Sequence, residues 1–310
     1  LIWQLEEASG VANLLVSKVN PQHIDSRIRT AQVSGKISLE GNAQKQSARV
    51  NLKDSSISFN AAITRSDGRV TLEQFQLQRN KSQLTGQGKF DLGNDQSFEL
   101  SGNLENFNIS DFIQAPDSNL NAAIQLSGQL SPQISGILQY TIQKSRLAKF
   151  PVTGAGQIAF NGLDQFKGKA ELNIGSNHFL AQGGTGESGE TYQLAVNAPA
   201  LKQIGFGLSG DLQTHIQWNG NLQSPDLELK IKSRQLHLPG NHHLLGLVAD
   251  GRLNNETISL KATIENYAAS DKATLQHVEI NTSGKISDHT LLAKAQINDA
   301  FKIQLKAVGG

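Results

Sequence analysis

The 310-residue chain contains no cysteine and no methionine. Without cysteine there is no disulfide framework and no thiolate metal site. Such a chain suits any compartment, including an oxidising one, where a stray thiol is a liability. Proline is sparse at 7 residues, and aromatics make up only 5%. That is lean for a thick two-sided core. Neither sign of charge dominates, with 28 basic side chains against 27 acidic ones. The balance removes the basic patch that nucleic-acid binding needs, and no acidic tail is present. No apolar run approaches the ~20 residues of a spanning helix, and no signal peptide is legible. Beginning at Leu1 and ending at Gly309-Gly310, the chain reads as a fragment excised from a longer protein.

What is present is glycine, 29 residues of it, with abundant Gln, Asn and Ser. Apolar residues recur with period 2 along nearly the whole chain, the signature of half-buried strands. Val33, Ile37 and Leu39 alternate with Ser34, Lys36 and Ser38. Ile258, Leu260, Ala262 and Ile264 alternate with Ser259, Lys261 and Thr263. Roughly 18 such segments are separated by turn signals such as Ser66-Asp67-Gly68, Gly93-Asn94-Asp95 and Gly183-Gly184. The fold class is therefore all-β with little helix. Leu1 to Val19 has room for one amphipathic helix, interrupted by Gly10. Short turns are expected at Ser110–Phe112 and Leu201–Ile204.

The chain also repeats itself. Asn106 to Pro132 and Asn197 to Pro225 share a short turn, then a strand, then Gly, Leu and Ser-Pro. A fainter copy runs from Pro21 to Gly41. Repeats begin near residues 21, 106 and 197, a period of about 90 residues. One continuous element over 1–310 is expected.

Each strand has one apolar face that must leave water. Two sheets can pack as a sandwich, one sheet can close around a filled interior, or a curled sheet can form an open groove covered by something other than protein. The composition leans to the groove. Gly35, Gly88, Gly102, Gly154, Gly156, Gly168 and Gly251 fall on the apolar phase, where they permit curvature and remove bulk. Some 18 strands at 4.8 Å spacing would make a sheet about 85 Å long, a distance suited to spanning. A filled β-solenoid without ligand stays open as an alternative.

Chemical motifs are weak. Gly184 to Gly189 matches GxGxxG, but the alternating Tyr192, Leu194 and Val196 follow it instead of a helix, so a hairpin turn is the better reading. His237, His242 and His243 lack metal spacing and read as a solvated loop. No nucleophile elbow or triad context occurs, and Glu6-Glu7 reads as surface charge. No catalytic residue, metal or cofactor is expected, and the chain is expected not to be an enzyme.

Leu120 to Pro132 and Leu212 to Pro225 resemble the recurring strand, Gly, turn, Pro unit of the TamB-like and AsmA-like family. Gly68–Leu72 with Gln83–Phe90 is similar to its hairpins, and Ser283–Leu291 to a segment in the middle of its proteobacterial members. The resemblance covers about Pro21 to Gly310. It implies a long curled antiparallel sheet with an apolar groove, in a periplasmic protein anchored to the inner membrane and reaching the outer membrane of a Gram-negative bacterium. It implies phospholipid transport between the membranes and support of outer-membrane protein assembly, with a TamA-like barrel as partner through regions outside this chain. Acyl chains would then lie against Ile37, Leu39, Phe59, Leu72, Phe90 and Leu100 in the first third. They would continue over Ile124, Leu126, Ile158, Phe160, Leu172 and Leu194, then Leu229, Ile231, Leu260, Ile264, Ile303 and Leu305. The rival reading is a scaffold that templates nascent strands by β-augmentation.

Overall fold

The computed structural model describes residues 2–4, 9–162, 165–185, 190–220, 226–269, 273–298 and 301–309. Regular structure there is β throughout, apart from three single-turn 3-10 segments. The chain splits into two compact units, residues 1–147 with 152–162, and residues 148–151 with 163–310.

The first unit holds β1 (Ile2–Gln4), β2 (Ser9–Val19), β3 (Val33–Gly41), β4 (Lys45–Lys53), β5 (Ile57–Ser66), β6 (Arg69–Arg79), β7 (Ser82–Asp91), β8 (Ser97–Phe107), β9 (Ser118–Gln129), β10 (Ser135–Leu147) and most of β11 (Phe150–Asn161). From β1 to β10 every strand pairs antiparallel with its neighbour in sequence. The second unit holds β12 (Gln165–Ile174), β13 (Asn177–Gly184), β14 (Thr191–Ala198), β15 (Ser209–Gly210), β16 (Leu212–Asn219), β17 (Asp226–Leu238), β18 (His242–Asn254), β19 (Thr257–Ala269), β20 (Ala273–Lys285), β21 (Asp288–Asn298) and β22 (Phe301–Gly309). It is the same meander, with β14 paired to β16 and the short β15 set beside β17. Among the described residues β1 pairs only with β2 and β22 only with β21, so neither ladder closes into a barrel.

Among the described residues the strands number 22 against the roughly 18 expected; β1 and β15 are too short to show a period, and β2 falls in the segment that had room for a helix. The helix allowed over Leu1–Val19 does not form. Ala12, Leu14 and Val16 pair with Leu39, Ile37 and Gly35, and this period-2 contact with β3 defines a strand. Gly183-Gly184 closes β13 and is not itself the turn. Residues 186–189 of the GxGxxG match and Glu6-Glu7 lie outside the described residues.

The 3-10 segments are Pro21–His23, Ile109–Asp111 and Leu201–Gln203, so each falls at the start of one repeat. Within each unit they connect strands along one edge of that unit's ladder, here called the turn edge of that unit. In the first, Asn20 Oδ1 accepts the N–H of Gln22 and that of Ala31. Asn108 Oδ1 does the same for Ser110 and Ser118 in the second. A single side chain thus caps the turn and pins the entry to the next strand, satisfying donors that a one-turn helix leaves orphaned. The third has Ala200 at that place. There the buried Asn177 of β13 substitutes, accepting from Ala200 N at 3.0 Å and donating to Ala200 O at 3.0 Å.

The buried core of each unit sits along its turn edge. Ala31, Val33, Leu147 and Val152 are buried in the first unit, and Ile174, Ala198, Leu201 and Leu236 in the second. Ala198, Leu201 and Leu236 form one cluster, packed by Phe179, Val196, Ile204 and Leu244. Ala249 is the buried apolar residue away from that edge.

Candidate functional site

Cross-strand partners in an antiparallel ladder share a face, so the pairing registers define rows of side chains running across the strands. Four rows cross the first unit from β2 to β10 on its apolar face. One reads Leu14, Ile37, Val50, Ala61, Phe75, Gly86, Gly102, Ile124, Tyr140. The next contains Leu39, Ile63, Leu72, Gly88, Leu100, Leu126 and Leu138. A third, nearer the turn edge, contains Leu52, Phe59, Leu77, Leu84, Leu104 and Ile142. The fourth, at the opposite edge, reads Gly10, Gly41, Gln46, Arg65, Val70, Phe90, Phe98, Gly128, Gly136. Arg65 is the only charged side chain in all four.

The second unit repeats the pattern by itself. Leu194, Ile216, Leu229, Gly251 and Leu260 lie in one row. Leu172, Phe179, Val196, Thr214, Ile231, Ala249, Ala262, Ile280, Ala293 and Leu305 form the adjacent one. Tyr192, Trp218, Leu227, Leu253, Ile258 and His289 belong to a third. No Asp, Glu, Lys or Arg stands in these three rows from β12 to β22. On the opposite face, Lys230, Asp250 and Lys261 succeed one another.

Every residue expected to line the groove lies on the apolar face of its own unit. Ile158 and Phe160 share a phase on β11, and Phe160 reaches over Gly136 of β10. None of the eighteen is buried. Leu39, Leu100, Ile124, Ile303 and Leu305 are between 38% and 56% exposed. A filled interior would have buried most of them. Glycine shapes the surface locally. A Cβ on Gly88 would lie 2.4 Å from Leu100 Cδ2, so that leucine lies flat across the neighbouring strand only because Gly88 has no side chain.

Aromatic rings gather at the edge of the second unit's face that lies opposite the turn edge. Phe166 packs edge-on against Tyr192 at 4.7 Å and against Trp218 at 6.1 Å. Burial pushes the Tyr192 phenol above its ordinary range. The Trp218 Nε1–H has no hydrogen-bond partner, as befits a ring inside an apolar surface.

A hollow of about 540 Å³ opens on the first unit's face. Val11, Ala12, Leu39, Ala48, Ile63 and Val70 line it together with the polar Glu40, Asn42 and Ser47, with Gly10, Gly41, Gln46 and Arg65 at one side. Its size falls in the range of small-molecule sites.

The histidines are not in a solvated loop. His242 and His243 open β18, and His243 stands opposite His237 on β17 with ring centroids 4.3 Å apart. His242 Nδ1 meets the Tyr267 hydroxyl at 3.0 Å. Sequence reasoning missed the cross-strand pair because it needs the register of the Leu238–His242 hairpin. Among the described residues no three His, Asp or Glu side chains converge on a metal position. No helix there is long and apolar enough to cross a membrane.

Known proteins place this geometry. The family model described as TamB, N-terminal domain, matches residues 34–310. A curated relative, the translocation and assembly module subunit TamB of Haemophilus influenzae strain Rd, is 23% identical over 223 residues. The match covers 70% of this chain and 17% of that relative, so the chain spans well under a third of its relative's length. No solved structure matches the chain.

Proposed function

Because this chain belongs to the TamB family, whose N-terminal domain model covers residues 34–310, we propose that it is a segment of a periplasm-spanning conduit that moves phospholipid between the inner and outer membranes. The conduit supports outer-membrane protein assembly together with a TamA-like barrel, which meets the full-length protein outside this segment. The reading is of a transport surface and not of an enzyme.

One observation carries it: in each unit, rows of apolar side chains run across the ladder almost free of charge, and the eighteen candidate lining residues are all left unburied. Acyl chains against such rows gain about 0.8 kcal/mol for each methylene removed from water. Neighbouring positions are chemically alike, so a chain can shift from one to the next without crossing a large barrier.

The test is lipid transfer between donor and acceptor vesicles by the full-length protein carrying Ile124→Asp or Leu229→Asp. Transfer should fall at least tenfold while the far-ultraviolet circular dichroism of the strands is kept. Undiminished transfer in both variants, or the absence of lipid when the purified protein is extracted and analysed by mass spectrometry, rules the conduit out.

A further inference from the structure

We propose that Arg65 is an anchoring point for the phosphate of a lipid headgroup, with the hollow beside it holding the start of the acyl chains. The inference rests on the conduit reading and adds a fixed charged station to four rows that otherwise carry no charge.

Four features point there. Arg65 is the single charged side chain in the four apolar rows of the first unit, and it stands in the row at the edge opposite the turns. Its guanidinium, like those of Arg29, Arg49, Arg79 and Arg146, makes no ion pair among the described residues, whereas Arg27, Arg69, Arg234 and Arg252 each meet a carboxylate. Its one hydrogen bond runs from an Nη to Gln46 Oε1 at 3.5 Å, which leaves most of its five N–H donors open to an acceptor. The adjoining hollow of about 540 Å³ is lined mainly by apolar residues, with Glu40, Asn42 and Ser47 also on its wall, so charge and apolar volume meet at one place.

The site is also built. Gln46 Nε2 donates to the Asn42 carbonyl, which turns Oε1 towards Arg65. Gly41 lets the strands approach closely here: a Cβ there would come within 2.8 Å of Gln46 Cα and of the Lys45 carbonyl oxygen, and within 2.9 Å of Gln46 Cγ. The planar fork of arginine matches a phosphate oxygen pair in a way lysine does not. Charge complementarity selects a phosphodiester lipid, and the apolar walls select its chains over a free anion. A lipid so held has its headgroup at the edge opposite the turns and its chains directed inward along the face.

Binding of a short-chain phosphatidylglycerol to the full chain, measured by calorimetry below its micelle concentration, tests the proposal against two other probes. These are the diacylglycerol with the same chains, and inorganic phosphate. Arg65→Gln should weaken phosphatidylglycerol about tenfold, the factor equal to 1.4 kcal/mol, and leave diacylglycerol unchanged. Gln46→Ala should weaken phosphatidylglycerol by a smaller factor. Equal phosphatidylglycerol affinity in wild type and Arg65→Gln overturns the anchor and leaves the conduit standing. Wild-type protein that binds neither lipid overturns both. Inorganic phosphate binding as tightly as phosphatidylglycerol, with loss in Arg65→Gln, reassigns Arg65 to a free anion and overturns the lipid.

Discussion

The Asn177 side chain is fully buried and holds three backbone groups at once: it accepts from Ala200 N and donates to the carbonyls of Ala200 and Ile174. Replacing it with leucine of similar bulk leaves those groups buried and unpaired. The expected loss is about 2–4 kcal/mol, read as a fall in the urea midpoint with little change in slope. Asp54 works by charge. Backbone N–H groups of Ser56, Ile57 and Gln32 hold its carboxyl below the ordinary range, with the Ser56 hydroxyl assisting. A depressed carboxylate contributes stability that is complete above its unfolded value and is lost as pH falls through the folded one. Asp54→Asn should therefore destabilise at pH 7, and its deficit should shrink below about pH 4. A deficit of the same size at pH 7 and pH 3 sinks this account.

At the scale of the element, bulges break the register in mid-strand, as between Leu72 and Phe75 on β6, and again near the turn edge. Breaks fall between Leu104 and Phe107 on β8 and between Ile142 and Arg146 on β10. Asn106 and Lys144 there have φ of 47° and 48°. An extra residue leaves backbone groups without ladder partners. Asn121, on the strand between, supplies them: its Oδ1 accepts from Asn106 N and its Nδ2 donates to Lys144 O. Asn121→Ala should cost about 1–3 kcal/mol. Lys144→Val should also destabilise, because a β-branched side chain resists positive φ, whereas Lys144→Gly should be neutral or better; chemical denaturation separates the three. Most strands and the facing of their side chains were legible from period 2, since that period is itself the alternation of the two faces, although β2 read equally as a helix. The bulges, Asn121, Asn177 and the His237–His243 pair were not. Each depends on which residues of different strands stand opposite, and alternation carries no register. Arg65 was equally hidden: it is one polar letter at a strand end until pairing sets it between Gln46 and Val70.

For the molecule as a whole, folding stability and the candidate surface are separated by burial and not by row: Phe179 and Val196 belong to an apolar row of the second unit and also pack on the Ala198, Leu201 and Leu236 cluster. Leu236→Ala, in the buried cluster with Ala198 and Leu201, should cost about 2–5 kcal/mol. Leu100→Ala, at 46% exposure on the face, should cost under about 1 kcal/mol while weakening lipid binding. Equal losses from the two substitutions, measured by urea unfolding, contradict the separation.

The registers have a consequence for how such chains can change length over evolution. β4 ends and β7 begins at the same edge, and Leu52, Phe59, Leu77 and Leu84 are partners in turn. Excising the Ile57–Arg79 hairpin would set Leu52 opposite Leu84 and Val50 opposite Gly86, with every row still in phase. The ladder would be shorter by about 9.6 Å, two strand spacings. Loss of a single strand would leave the chain at the wrong edge. The architecture is thus a ruler graduated in hairpins, whose length can change without redesign of its surface.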